Sequence, residues 1–65
     1  MRRLPKLREI REERAMSQRD LALFSQVSQD TISKLERFER EAQPQTVRKL
    51  AMSLAVKPVA LMKED

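Results

Sequence analysis

The tightest constraint on this chain is a pair of helix starts, at Ser17 and Ser28, eleven residues apart with no glycine between them. Each serine follows an apolar residue (Met16, Val27) and has another four positions further on (Leu21, Ile32). Serine is a preferred N-cap because its hydroxyl accepts a hydrogen bond from a first-turn amide, and an apolar pair bracketing the cap is a hydrophobic staple. Asp20 stands where a capping-box acid belongs. Only Gln26 and Val27 then remain to join the two helices, which suits a steep crossing rather than antiparallel stacking.

The rest of the chain follows the same period. Glycine is absent altogether, prolines fall at 5, 44 and 58, and good helix formers fill the space between. Placing Pro44 and Pro58 at the first helical position makes Gln43 and Lys57 the caps and pairs Ala42 with Val47 and Val56 with Leu61. Neither Gln nor Lys caps well, so these two starts lean on proline. The first helix begins near Pro5, with Arg14 closing it. The sequence predicts five helices, about 5–14, 18–25, 29–37, 44–54 and 58–63, in an all-α fold. Helices this short are marginal alone in water, so they must pack together, on a core of Leu7, Ile10, Met16, Leu21, Ala22, Phe24, Ile32, Leu35, Val47, Leu50, Ala51, Leu54, Val56 and Leu61. At 65 residues the chain is expected to form a single domain, 1–65.

Composition narrows the function. There is no cysteine and no histidine, hence no thiolate or imidazole metal site, no zinc finger and no neutral-pH base. With no tyrosine and no glycine-rich phosphate loop either, catalysis is not expected, and no cofactor is implied. No apolar run approaches the roughly 20 residues that span a bilayer, and the start MRRLPK lacks the apolar stretch of a signal peptide, so a cytoplasmic address away from membranes is expected. The net charge of +4 is uneven: residues 1–14 carry +3, 15–36 carry −1 and 37–50 carry +2. That sign suits a polyanion. On the third helix, Ile32 and Leu35 face inward, which leaves Gln29, Asp30, Ser33, Lys34 and Arg37 on a face without an apolar residue. Its amide, hydroxyl and cationic groups are those that read base edges in a DNA major groove, and the unit 17–37 reads as a helix-turn-helix.

Residues 4–63 resemble the lambda-repressor-like, or Cro/Xre, helix-turn-helix family. The resemblance is carried by Leu7 and Arg8, Arg11, Ser17 and Gln18, Leu21 and Ala22, Val27 and Ser28, Thr31 to Ser33, Glu36, Thr46, Leu50 and Ala51, Leu54 and Val56, in register without a gap. It implies a compact five-helix domain that binds double-stranded DNA as a transcriptional regulator, repressors included, commonly as a homodimer. Gln29, Asp30, Ser33 and Lys34 would read bases. Gln18, Arg37, Arg40, Gln45 and Thr46 would hold phosphates, with Gln18 also buttressing Gln29. Arg11 and Glu36 match a structural salt bridge tying the first helix to the third. Duller readings stay open: Asp30 near a helix start complements the dipole, and Ser33 serves as a small solvated residue. A second function uses the same fold as a protein-interaction module, such as an antitoxin with a protein partner. RNA binding fits less well, because single strands want stacking aromatics and the only two, Phe24 and Phe38, are expected inside.

The sequence departs from the family at Gln26, Phe38 and Ala55, where glycine is usual. A non-glycine residue in the left-handed region costs roughly 1–2 kcal/mol. Either the turns are rebuilt or the strain is accepted; at Phe38 the third helix is expected to run on, with the ring covering core.

Overall fold

The computed structural model describes residues 3–63. Its elements are α1 (Leu7–Glu13), α2 (Gln18–Ser25), α3 (Gln29–Glu36), α4 (Pro44–Leu54) and α5 (Pro58–Met62). The α2 and α4 bounds coincide with those read from the sequence. α1 starts later, because Pro5 and Lys6 form a turn whose Lys6 amide donates to the Leu61 carbonyl of α5 at 3.2 Å, and it ends at Glu13, one residue short of Arg14.

The starts of α2 and α3 form as their serines dictate. Ser17 accepts from the Asp20 amide at 2.9 Å and its own amide donates to the Asp20 carboxylate at 3.0 Å, a complete capping box. The hydrogen bond from the Ser17 amide, and after it the Ser17 hydroxyl, hold the Asp20 carboxyl below the usual aspartate range. Ser28 accepts from the Thr31 amide at 3.1 Å. α4 and α5 start on proline with no side-chain cap.

α2 packs on α3 and α4, α4 on α5, and α1 on α3 and α5. Leu7, Leu21, Ile32, Leu35, Leu50, Leu54 and Leu61 are fully buried in the resulting core. Val27 and Ala42, the apolar halves of two staples, join it from outside the helices, as does Leu4, which no helical period marks. Phe24 is a correction: it is 69% exposed. The inward stripe of α2 runs through Gln18, Leu21, Ala22 and Ser25, and position 24 falls on its outward flank. Met16, Ala22 and Val56 are only partly buried against the core.

All four turns that follow α1 to α4 contain a non-glycine residue at positive φ: Ala15 (56°), Gln26 (61°), Phe38 (60°) and Ala55 (58°). The strain is therefore accepted, at roughly 1–2 kcal/mol for each such residue. Three of the turns share one pattern of paired backbone bonds. Ala15 donates to Glu12 and Met16 to Arg11; Phe38 to Leu35 and Glu39 to Lys34; Ala55 to Met52 and Val56 to Ala51. These are Schellman caps, which satisfy carbonyls that the helix leaves over. The expectation that α3 runs past Phe38 is corrected accordingly. The helix stops at Glu36, and the ring is 51% exposed because the left-handed turn directs the chain away from the core.

Candidate nucleic-acid interface

α3 divides along its length. Ile32 and Leu35 are buried, whereas Gln29 and Asp30 are exposed and Ser33 and Lys34 half-buried. The chain that positions this surface is anchored by a charged cluster at the other side of the helix. Arg11 Nε donates to Glu36 Oε2 at 2.6 Å and Arg11 Nη2 to Glu36 Oε1 at 3.0 Å, a two-pronged bond joining α1 to α3. Arg11 Nη1 also donates to the Met16 carbonyl at 2.6 Å. The two side chains are 9% and 3% exposed. The hydrogen bond to Glu36 outweighs burial and raises the Arg11 pKa, so the guanidinium keeps its charge. Loss of one partner would strand the other charge, whereas the intact pair adds little net stability.

Gln18 completes the cluster: its Nε2 donates to Glu36 Oε1 at 3.0 Å. The amide thus locks α2 to the end of α3. On the outward face Lys34 Nζ lies 3.1 Å from the Asp30 carboxylate, and Arg37 Nε lies 3.3 Å from Glu39. Both pairs lie at the surface, Lys34 partly covered. Such pairs contribute on the order of 0–1 kcal/mol and exchange readily for other partners.

Beside α3 an open cleft of ≈ 230 Å³ is lined by Thr31, Arg40, Glu41, Ala42, Gln43 and Thr46. Arg40 Nη1 donates to Thr31 Oγ1 at 3.3 Å, and the Ser28 hydroxyl donates to the same oxygen at 2.8 Å. The start of α4 opens on this cleft, and since Gln43 does not cap the helix with its side chain, the first amides, including those of Gln45 and Thr46, are left to other acceptors. Helix N-termini of this kind favour phosphate oxygens. Sequence reading put Arg40 and Thr46 together here, but it missed Thr31. Nothing local marks it, because the Arg40 that it meets lies in the loop beyond α3. Gln45 is exposed and is not among the residues lining the cleft.

Among the described residues no group of His, Cys, Asp and Glu could hold a metal ion, and no helix is long and apolar enough to cross a membrane.

The helix-turn-helix family matches this chain over residues 7–61. The chain belongs to that family, in its Cro/C1 type. It is thereby, in general terms, a DNA-binding transcriptional regulator. Among solved structures it is similar to the restriction-modification controller protein C.AhdI from Aeromonas hydrophila, with 32% identity, a TM-score of 0.83, and coverage of 86% of this chain and 85% of that one. No curated protein sequence matches.

Proposed function

We propose that the protein is a sequence-specific regulator that lays α3 in the major groove of double-stranded DNA. Gln29, Asp30, Ser33 and Lys34 read base edges; Arg37, Arg40, Thr46 and the amides opening α4, with Gln45 at its exposed first turn, hold the backbone. Gln18 contributes to the phosphate contact through the first turn of α2 while its amide steadies Glu36. The observation that carries this reading is the division of α3: its inner residues are in the core, and its outer residues are polar, accessible and next to the cleft at the start of α4. Lys pairs with guanine and Gln with adenine in that groove. A controller role like that named for C.AhdI fits a chain similar to it over most of its length. A homodimer would present two copies of α3 about 34 Å apart, one helical turn, to a near-palindromic site.

Selection from a random pool of duplex DNA, with gel filtration of protein and complex, tests this reading. Enrichment of a motif with two related half-sites and two chains per duplex is expected. Failure to enrich any duplex would overturn it.

A further inference from the structure

We infer that Phe38 is a DNA-contact residue whose ring lies against the deoxyribose of the backbone strand that Arg40 engages through phosphate; this rests on the reading of α3 as the recognition helix.

Phe38 holds φ at 60°, in the left-handed region. The backbone there is that of a Schellman cap, as at Ala15 and Ala55, but a bulky side chain in it is an outlier among non-glycine residues. The other three strained positions carry alanine or glutamine. The ring is also 51% exposed, so core burial does not offset the strain. Glycine would make the same turn without it. Finally, Phe38 lies between Arg37 and Arg40, just past the end of α3, on the segment leading to the cleft of Thr31, Arg40 and Thr46.

Position decides which part of the duplex the ring meets. Base edges are contacted from the N-terminal residues of a recognition helix, so a side chain beyond its C-terminal end faces the groove wall. The apolar surface there is the C–H face of the sugar, which every nucleotide has. Such a contact favours no sequence, and it releases no counterion, because it neutralises no phosphate. The signature is therefore opposite to that of Arg40: weaker binding on every duplex with an unchanged salt slope.

Phe38→Gly and Phe38→Asn both remove the ring and suit the left-handed turn. Each is measured for thermal unfolding, for self-association by gel filtration, and for binding, across a salt series, to the duplex enriched by the wild type and to a scrambled duplex of equal composition. The expected result is a Tm equal to or above that of the wild type, affinity for both duplexes lowered about tenfold by loss of a half-buried aromatic contact, and the same slope of log K against log salt. Undiminished affinity would overturn the inference. So would a slope reduced by about one unit, which would mean that Arg40 had been displaced. Loss confined to Phe38→Gly would assign the effect to backbone freedom, and loss of self-association with intrinsic DNA affinity intact would assign the ring to a protein partner; either result also overturns it. If the wild type enriches no duplex, the recognition-helix reading itself fails and takes this inference with it, whereas a wild type that binds no better than both variants removes Phe38 alone.

Discussion

The ends of α3 and α4 have the same backbone and opposite surroundings. Both close with a Schellman cap, and in both a non-glycine residue, Phe38 or Ala55, reverses the chain at φ near 60°. Past α4 the chain returns to the core: Leu54 and Ala51 are buried, Val56 packs on them, and Arg14 Nε donates to the Leu54 carbonyl at 3.0 Å. Past α3 it leaves the core, with Phe38, Glu39 and Arg40 all exposed. The end of α3 has its own buried leucine, Leu35, and is held in addition by the Glu36 carboxylate, gripped by Arg11 and Gln18. Both ends rest on a buried leucine, Leu35 or Leu54, but only the end of α3 adds a buried ion pair, and only there does the chain stay outside the core beyond the turn.

The largest effect should come from breaking the polar anchor. Glu36→Ala leaves the Arg11 guanidinium buried without its partner and should lower unfolding stability by about 3–5 kcal/mol, read from the midpoint of urea unfolding; a loss under about 1 kcal/mol would show the pair to be solvated like a surface bridge. Next comes the apolar anchor. Leu54→Ala empties a core position and should cost roughly 2–5 kcal/mol, with DNA affinity preserved in the folded fraction because this end carries no contact. Ser17→Ala removes the cap that sets Gln18 on Glu36, and about 1 kcal/mol should be lost.

The capping box also gives a pH signature. The Asp20 pKa is depressed in the folded chain, so the unfolded chain takes up the proton first as pH falls. Its contribution is complete above the ordinary aspartate range, about 3.9, and is lost as pH drops through that range to the folded value. Asp20→Asn should therefore be less stable than the wild type at neutral pH and show a shallower loss in acid; parallel acid profiles would remove the carboxylate from the cap. The smallest effect is a gain. Ala55→Gly relieves the left-handed cost but adds freedom to the unfolded chain, so stability should rise by about 0.5–1 kcal/mol; a fall would show that the alanine methyl packs at that turn.

The same contrast explains what could be read from sequence. The α2 and α3 starts were legible because serine caps and staples are local chemistry, and the prolines announced α4 and α5 in the same way. The Arg11–Glu36 tie was legible only through the family resemblance, since nothing local links residues 25 positions apart. Phe38 and Phe24 misled because aromatic residues are large apolar groups and hydrophobicity alone sends them inward. Phe38 is turned out by a backbone conformation that no residue at 38 announces, and Phe24 by a stripe one position away from it. Thr31 was overlooked as a site residue because its link to Arg40 crosses from α3 into the following loop.

If the outer surface of α3 is polar because it meets base edges, Gln29 must discriminate between bases. Affinities of wild type and Gln29→Ala are compared for the selected duplex and its three single substitutions at each position. Discrimination should collapse by roughly 1–3 kcal/mol at one base pair and stay intact at the others. An identical preference profile for the two proteins would contradict it.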